Sequence, residues 1–269
     1  MPELPEVEAV CRKLRKSAVG STLFSAHIER RRITAPQAPA EVESLAAGRT
    51  IESITRRGKN ILIGLSGGLT LHVHLRMTGN LYVIPDSRLP VAGVSAWFQL
   101  DRGRALLFED TRGLGALRLL DAPQERKLLG GLGPEPLSRG FTAGAFTASA
   151  AGVRQPAKLF LMDQRRVAGL GNIYAAEALF AARIDPRAPI GSVSHRRMRA
   201  LRDQIVLILR DAVRSACRAY SRPGGFQEAE DFPLAVYGRE NEACGCCGGL
   251  IRRIEQGGRS TYFCPKCQR

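Results

Sequence analysis

The spacing of apolar residues near the start of the chain predicts a helix. Between residues 6 and 18 the apolar positions recur every three or four residues, at Val7, Val10, Cys11, Leu14 and Ala18. Pro5 suits the first helical position, and Glu6 lies near the positive end of the helix dipole. Pro2 and Glu3 lie before this predicted helix, and on this interpretation neither is needed to cap it.

A series of short β-rich segments follows residue 20. Seven segments combine β-branched, aromatic and aliphatic residues, with turn signals such as "SGG" and "DRG" between them: "STLFSAHIE", "RTIESI", "NILIGL", "LTLHVHL", "NLYVI", "SAWFQL" and "ALLFE". Many strands at short spacing are typical of a two-layer sandwich or a barrel. The predicted β-rich domain spans residues 1–120.

The pattern changes again after residue 120. Residues 121–135 are rich in Gly and Pro and are predicted to form a linker. Segments with helical periods, broken by Gly and Pro, make residues 136–226 a predicted helical domain: "AFTASAAGV", "PAKLFLMDQ", "GNIYAAEALFAARI" and "SHRRMRALRDQIVLILRDAVRSACRAY". The loop "SRPGGFQEAEDFP" leads into a Cys-rich tail, residues 235–269. The pattern as a whole predicts an α+β protein with several domains.

The charge balance narrows the class of partner. The 269-residue chain carries 40 Lys and Arg against 25 Asp and Glu, a formal net charge of +15. Such an excess favours a polyanion, because neutralised phosphates release condensed counterions. An anionic membrane surface is the alternative, but no apolar run reaches the roughly 20 residues of a membrane span, and the start lacks a signal-peptide pattern. Seven cysteines, an odd number, favour reduced thiols in the cytoplasm over a disulfide framework.

Four of these cysteines have the spacing of a zinc site. Cys244 and Cys247 form one CxxC pair, Cys264 and Cys267 form a second, and 16 residues separate the pairs. Each CxxC turn aims two thiolates at one point, so two such turns at the ends of a hairpin complete a closed, structural, tetrahedral site. A chance or disulfide arrangement is the alternative, and Cys246 is left as a spare thiol.

Three further polar residues allow both a functional and a structural interpretation. Arg259 adjoins a Gly-Gly turn in the predicted hairpin "RRIEQGGRSTYF", where it meets either a phosphate or base or only solvent. Asn172 follows the Gly-rich turn of "VAGLGNIY", which suits a phosphate at a helix N-terminus and equally a helix cap. Lys59 in "RRGKNI" begins a strand, either as a catalytic amine or as part of a solvated charged edge.

Two Gly-bounded segments, "LHVHLRMTG" and "EDTRGLG", carry further candidate binding residues. His72 and His74 share one strand face, and without a third ligand we favour packing or a phosphate contact over a metal. Met77 near the turn would ordinarily be a core residue. Arg112 and Leu114 place an exposed cation beside an apolar side chain, a combination that suits a wedge between bases.

Several motifs, in one order over the whole chain, resemble the bacterial formamidopyrimidine-DNA glycosylase family, which is shared with endonuclease VIII. They are "MPELPEVE", "RRGKN", "HLRMTG", "DTRGLG", "LGPEPL", "LMDQRRVAGLGNIYAAEALF", "VYGRENEAC" and the CxxC…CxxC tail. The resemblance implies an N-terminal β-sandwich with a terminal helix, a helix-two-turn-helix domain and a C-terminal β-hairpin zinc finger. It also implies excision of oxidised bases from DNA in base excision repair, followed by β,δ-elimination at the resulting abasic site.

The resemblance assigns the catalytic residues. In that family the initiator Met is removed and the exposed proline nitrogen is the nucleophile, which here is Pro2. The pKa of an α-amine is about 7.7–8.0 and that of a Lys amine about 10.4, so a terminal amine keeps a useful neutral fraction at pH 7. Glu3 matches the acid/base residue at the sugar, Glu6 a second carboxylate near the nucleophile, and Lys59 a lysine at the damaged nucleotide and its phosphate.

The resemblance also implies a set of DNA-binding residues. They are His74, Met77, Arg112, Leu114, Lys158, Asn172 and Arg259. Met77, Arg112 and Leu114 stand where inserted side chains fill the hole left by a flipped nucleotide. The others match contacts to the lesion or to the phosphates around it. The implied cofactor is one structural Zn²⁺, and the implied partner is damaged double-stranded DNA, bound by a monomer in the bacterial cytoplasm at the nucleoid, with no membrane partner.

Two departures from the resembled family leave the substrate open. In the first departure, Leu114 stands where the family usually has Phe, and Gly113 stands where it has a second Arg. In the second, residues 221–233 do not match the longer Ser/Thr- and Lys-bearing loop of purine-specific members. Leu4, where endonuclease VIII enzymes have Gly, favours oxidised purines such as 8-oxoguanine and formamidopyrimidines. The alternatives are an oxidised-pyrimidine glycosylase of the endonuclease VIII type and a non-catalytic zinc protein that binds damaged DNA.

Overall fold

The computed structural model describes residues 1–89, 92–220, 229 and 231–269. The helices are α1 (Leu4–Ser17), α2 (Pro39–Ala46), α3 (Ala122–Leu129), α4 (Ala143–Ala150), α5 (Ala157–Met162), α6 (Asn172–Ala181) and α7 (His195–Ala219). The strands are β1 (Leu23–Ile28), β2 (Ile51–Arg57), β3 (Asn60–Leu65), β4 (Leu69–His74), β5 (Asn80–Pro85), β6 (Val94–Leu100), β7 (Arg104–Glu109), β8 (Ala116–Leu120), β9 (Arg252–Gln256) and β10 (Arg259–Phe263).

The chain divides into two compact units. The first comprises residues 1–131 and 217–228, and the second residues 132–216 and 229–269. Most of the atypical loop, residues 221–233, lies outside the described residues. Among the helices described, none combines the length and apolar character needed to cross a membrane.

The first unit is built on two four-stranded antiparallel sheets. Their strand orders are β1-β6-β7-β5 and β2-β3-β4-β8. The seven predicted strands are present, and the two sheets confirm the expected sandwich within an α+β fold. The prediction missed β8, which pairs with β4, and α2, which packs on β1. Both are short, and Arg118 interrupts the apolar run of β8.

The terminal helix α1 packs against β2, β3 and β5. Leu4, Val7, Val10, Cys11 and Leu14 are fully buried on its inner side. The helix begins at Leu4, one residue before the predicted first helical position, and Glu3 is its N-cap, so the expectation that Glu3 has no part in capping was wrong. The Glu3 backbone N–H donates to Glu6 Oε2 at 2.8 Å, one arm of a capping box.

Helix α3 lies within the segment predicted as a linker. The Asp121 carboxylate accepts the Gln124 N–H at 2.8 Å, and the Asp121 N–H donates to the Gln124 side chain at 3.0 Å. This capping box, with Pro123 in the first turn, favours a helix in a sequence whose Gly and Pro content indicated a linker. The predicted domain boundaries stay a prediction.

The second unit contains the expected helix-two-turn-helix. Helices α5 and α6 are joined by two successive turns, residues 163–171. The Gln164 side chain connects these turns, since its amide donates to Met162 O and Leu170 O at 3.0 and 2.7 Å and its carbonyl accepts the Gly169 N–H at 2.8 Å. The hairpin β9–β10 completes this unit, and an apolar cluster that includes Ala176, Val236 and Ile251 joins the cysteine-bearing tail to α6.

Candidate active site and metal centre

The β2–β3 hairpin places Lys59 in a tight two-residue turn. Gly58, with φ +59°, takes the first central position of the turn. The Asn60 side chain donates to Arg57 O at 3.0 Å and closes the loop. Lys59 is only 6 % exposed, so the charge run "RRGKN" does not leave this lysine on a solvated edge.

The start of the chain and the Lys59 turn meet in one acidic and basic cluster. The α-amino group of Met1 is half-buried and interacts electrostatically with Glu3, Lys59 and Glu6. Burial lowers the pKa of this amine below its usual value, with Lys59 adding to the effect and the two carboxylates opposing it. Glu3 and Glu6 are 2 % and 1 % exposed, and Pro2 is buried beside them. The structure therefore brings all four predicted catalytic residues together.

An ion-pair network centred on Glu8 holds α1 on β2. The Glu8 carboxylate accepts from Arg12 at 2.9 Å, from Arg15 at 3.3 Å and from the nearly buried Arg56 at 3.0 Å. Burial alone would raise the pKa of Glu8, but these arginines outweigh burial and lower it. Arg15 also donates to Ile54 O at 2.6 Å. This network fixes the chain start relative to the hairpin that carries Lys59.

His72 and His74 lie in β4 in neutral form. Burial, with help from Arg118 and Arg76, lowers the pKa of His72 to about 4, and its Nε2 lies 2.8 Å from Asn60 Oδ1. Burial and then Arg76 lower the pKa of His74 to about 3. His74 Nδ1 accepts the Arg76 N–H at 3.1 Å, so its proton resides on Nε2. His74 is therefore equipped to donate a neutral hydrogen bond rather than to act as a cation.

The predicted wedge residues lie on two neighbouring loops. Met77 is 45 % exposed and Arg112 is exposed, whereas Leu114 is half-buried. The Arg112 N–H donates to Thr78 Oγ1 at 3.3 Å, which joins the two loops directly. Met77 is thus not a core residue, and an exposed apolar side chain next to a cation is the chemistry of insertion between bases.

Lys158 and Asn172 both hold the strand that begins with Arg259. Lys158 is fully buried and its Nζ donates to Ser260 O at 2.7 Å and to Thr261 Oγ1 at 2.6 Å. Asn172 Nδ2 donates to the same Ser260 carbonyl at 3.1 Å. Asn172 is the first residue of α6 and not its cap, which is Gly171. Arg259 itself is exposed beside the Gly-Gly turn.

Cys244, Cys247, Cys264 and Cys267 form the metal centre of the tail. Their sulfur atoms all lie within 4.8 Å of one another, with Cys244 Sγ to Cys267 Sγ at 3.8 Å and Cys247 Sγ to Cys264 Sγ at 3.5 Å. Four thiolates at about 2.3 Å from a tetrahedral Zn²⁺ lie about 3.8 Å apart, so this donor set fits zinc. Cys246 is exposed and lies outside the cluster, as predicted.

Several supporting residues escaped the sequence analysis. Asp110 is fully buried between the wedge loops, Gln164 connects the two turns, and Thr78 joins Met77 to Arg112. The Glu177 carboxylate accepts the backbone N–H groups of residues 235, 236 and 237 at 2.8, 3.0 and 2.8 Å. The available signal was a single carboxylate in an otherwise apolar helix, "NIYAAEALF", which indicates a satisfied buried acid.

Three family models match the chain in succession. "Formamidopyrimidine-DNA glycosylase N-terminal domain" matches residues 1–117, "Formamidopyrimidine-DNA glycosylase H2TH domain" matches residues 132–221, and "Zinc finger found in FPG and IleRS" matches residues 241–269. The zinc-finger match and the geometry of the four thiols together confirm the predicted metal centre.

Full-length relatives and solved structures agree with these matches. A protein named formamidopyrimidine-DNA glycosylase from Xanthomonas euvesicatoria pv. vesicatoria is 41% identical over 272 residues, covering 100% of both chains. A Lactococcus lactis Fpg variant in complex with Fapy-dG-containing DNA superposes with TM-score 0.91 at 30% identity, covering 100% of both chains. The wild-type Lactococcus lactis protein, in complex with DNA containing an oxidised pyrimidine, gives TM-score 0.89 at 30% identity, again covering 100% of both chains. On the combined strength of domain order, full-length identity and fold, the chain belongs to the formamidopyrimidine-DNA glycosylase family.

Proposed function

We propose that this protein is a bifunctional DNA glycosylase and abasic-site lyase of base excision repair, acting on oxidised purines in double-stranded DNA. The observation that carries the proposal is the cluster of buried Glu3, Glu6 and Lys59 around the amino end of the chain. The capping box of α1 accounts for the two carboxylates, but it does not require a buried lysine at that end of the helix.

The proposed reaction begins once Met1 is removed. The secondary amine of Pro2 attacks the anomeric carbon C1′ of the damaged nucleoside, the bond between C1′ and the base breaks, and the base leaves with a proton. Glu3 protonates the sugar ring oxygen as the ring opens, which leaves an iminium ion between Pro2 and C1′.

The iminium ion then acidifies the hydrogen at C2′. Loss of this proton expels the 3′ phosphate, loss of a further proton expels the 5′ phosphate, and hydrolysis of the iminium regenerates Pro2. Lys59 and Glu6 flank this chemistry as a cation for the phosphate and a second proton carrier. Attack requires the neutral form of the Pro2 amine, and an α-amine keeps a larger neutral fraction near pH 7 than a lysine does.

DNA contacts in the proposal come from both units. In the first unit, His74 donates from Nε2 to a phosphate, and Met77 and Arg112 enter the hole left by the flipped nucleotide, with Leu114 behind them. In the second unit, Arg259 grips phosphates, and Lys158 and Asn172 hold the strand that presents it. Zinc supplies no chemistry in this scheme, since four thiolates leave no open coordination position.

Trapping the iminium ion with borohydride tests the proposal. Wild-type protein incubated with duplex DNA containing 8-oxoguanine and borohydride is expected to form a covalent protein–DNA adduct. The trapping rate is expected to fall by roughly 100-fold or more in Glu3→Gln, the order of magnitude of one general acid/base group. Pro2→Gly, which keeps a terminal amine but loses the secondary amine, is expected to trap more slowly than wild type.

Glu41→Gln, an exposed carboxylate in α2, is the matched control and should trap at the wild-type rate. Intact mass must accompany each sample, because Pro2 nitrogen is an amide while Met1 remains. Adducts that form at the wild-type rate in Glu3→Gln would contradict the mechanism. Absence of any adduct in wild-type protein lacking Met1 would instead favour a non-catalytic binder of damaged DNA.

A second candidate substrate is an oxidised pyrimidine. Leu114 provides a smaller side chain than Phe for stacking on the opposite base, and a relative of the same fold has been solved in complex with oxidised-pyrimidine DNA. Excision rates on duplexes that each carry one lesion, an 8-oxoguanine, a formamidopyrimidine or an oxidised pyrimidine, decide between the two. Our proposal requires the purine lesions to be excised faster.

We further propose that the protein acts as a monomer in the cytoplasm, at the nucleoid. A single molecular mass in solution, independent of protein concentration, is the expected result for a monomer.

The proposed domains remain residues 1–120, 136–226 and 235–269, with the segment 121–135 between the first two.

A further inference from the structure

Asp110 is a buried carboxylate placed between the two loops that carry Met77 and Arg112. It is 0 % exposed, and each of its carboxylate oxygens accepts a donor from a different segment. Thr78 Oγ1 donates to Asp110 Oδ1, and the Gly115 N–H donates to Asp110 Oδ2 at 2.6 Å. The carboxylate therefore holds together both ends of its own loop and the neighbouring loop.

The Thr78 hydroxyl continues this connection to the backbone of Arg112. Thr78 Oγ1 donates its proton to Asp110 and accepts the Arg112 N–H at 3.3 Å. A hydroxyl has one donor and two acceptor sites, so both roles are used at once. The hydroxyl of Thr78, the residue that follows Met77, thus fixes the distance between the Met77 loop and the backbone of Arg112.

Arg30 holds the second loop from its other side. Its Nη1 donates to Asp110 O at 3.1 Å and to Thr111 O at 3.2 Å, and the Gly113 N–H also donates to Asp110 O at 3.1 Å. Gly113 has φ +61°, and a Cβ atom there would lie 2.8 Å from Arg30 Nη1. The position of the Arg30 guanidinium against this loop therefore depends on the absence of a side chain at Gly113.

We propose that Asp110, Thr78 and Arg30 are positioning residues that set how Met77 and Arg112 meet the base opposite the lesion, and thereby determine opposite-base discrimination. The inference rests on the proposed function, since it takes these two side chains as the ones inserted into the duplex. Leu114 supplies less stacking surface than Phe, so discrimination depends more on the placement of Met77 and Arg112. When the distance between the loops is fixed, opposite bases that differ in size or in their hydrogen-bonding edge fit Met77 and Arg112 differently. These differences in fit become differences in affinity.

Thr78→Val tests this inference because it removes the hydroxyl and keeps the branched shape. Thr70→Val is the matched control, since Thr70 in the same unit also donates its hydroxyl to a carboxylate, Glu125 Oε2 at 2.5 Å, away from both loops. Dissociation constants are measured for duplexes carrying a tetrahydrofuran abasic analogue opposite each of the four bases, and for an undamaged duplex. Unfolding midpoints are recorded for every variant.

We expect Thr78→Val to reduce the ratio between the best and the worst opposite base by roughly tenfold, the effect of losing one hydrogen bond to a charged group. Thr70→Val should keep the wild-type ratio. Arg30→Met, which keeps the unbranched apolar part of the side chain and removes its donors, should reduce the ratio as well and provides a second test if Thr78→Val folds poorly.

The outcomes separate this inference from the proposed function. Wild-type protein that does not distinguish the abasic-analogue duplexes from undamaged DNA would contradict the proposed function itself. Wild-type discrimination that persists unchanged in both Thr78→Val and Arg30→Met would overturn the positioning role alone. A loss of affinity that is equal for all four opposite bases would also overturn it, since that result indicates a purely structural contribution.

Discussion

Burial changes the chemical environment of individual residues in ways that residue type alone does not show. The sequence favours packing or a phosphate contact over a metal for His72 and His74, and in the fold burial lowers the pKa of each. Lys59 and Lys158 are cations that the chain buries instead of exposing. A buried ammonium needs specific acceptors, and Lys158 has them in Ser260 O and Thr261 Oγ1.

The lowered pKa of His72 predicts an acid-sensitive fold. Its folded-state pKa of about 4 lies below the unfolded value of about 6.5, so the neutral form is favoured in the folded protein. The stability contribution is complete above pH 6.5 and is lost as the pH falls towards 4, by about 2 kcal/mol at pH 5. Denaturant unfolding at pH 7.5 and pH 5 should therefore show a smaller acid loss in His72→Gln than in wild type.

His195→Gln is the control for this experiment, because His195 is exposed at the start of α7. It should retain the wild-type loss of stability between the two pH values. An acid loss in His72→Gln equal to that of wild type would show that other groups account for it.

At the scale of elements, the zinc-finger hairpin is held by the helices of the helix-two-turn-helix. Lys158 in α5 and Asn172 in α6 share the Ser260 carbonyl, and Gln256 Nε2 donates to Pro186 O at 3.3 Å. Glu177 in α6 accepts three N–H groups from the segment that precedes the finger. These contacts fix the turn from which Arg259 projects.

Lys158→Met is predicted to weaken both stability and DNA binding. The substitution keeps the aliphatic stem but leaves Ser260 O and Thr261 Oγ1 without their charged donor, a loss of about 2–3 kcal/mol in the free energy of unfolding. Affinity for duplex DNA should fall because the Arg259 turn loses a support. Denaturant unfolding and a binding titration measure the two effects.

Lys127→Met, in the last turn of α3, is the matched control because Lys127 is exposed. Arg259→Ala should lower affinity with little change in stability, which distinguishes a direct contact from a positioning residue. A Lys158→Met protein as stable as Lys127→Met would contradict the buried hydrogen bonds.

At the scale of the whole molecule, the net charge acts on DNA at long range, whereas the zinc centre acts locally on the fold of the tail. The net charge of +15 attracts any polyanion and weakens with added salt, so it provides affinity without selecting damage. The zinc centre is local, and it orders a tail whose apolar residues are too few to form a core of their own. Selection of damaged DNA must therefore come from specific side chains at the active site and on the two loops that carry Met77 and Arg112, and not from the overall charge.

Cys244→Ser is predicted to abolish stoichiometric zinc and to weaken DNA binding strongly. Loss of one of four thiolates opens the tetrahedral site, and the hairpin that presents Arg259 loses its anchor. Metal content measured by atomic absorption and affinity measured for an abasic-analogue duplex check the two parts. Cys246→Ser should keep one zinc and wild-type affinity, because that thiol is exposed outside the cluster. Retention of zinc and affinity in Cys244→Ser would contradict the assignment of the ligands.

The accuracy of the sequence predictions followed the range of the interactions involved. Strands β1–β7, helices α4–α7 and the hairpin β9–β10 were predicted because each depends on the periodicity of a few neighbouring residues. The zinc ligands were predicted for the same reason, since CxxC spacing is local. Strand β8 and helix α3 were missed because Arg118 and the Gly- and Pro-rich surroundings masked short patterns.

The amino-acid sequence by itself determined the order of the elements, the family, the excess of positive charge and the cysteine spacing. Only the tertiary structure decided that Lys59 is buried beside Glu3 and Glu6, that Lys158 supports the Arg259 strand, and that Asp110 holds two loops together. The contact from Thr78 to Asp110 spans 32 positions and that from Lys158 to Ser260 spans 102. No local pattern encodes such pairs, because burial and hydrogen-bond partners at that separation are set by which surfaces the folded chain brings together.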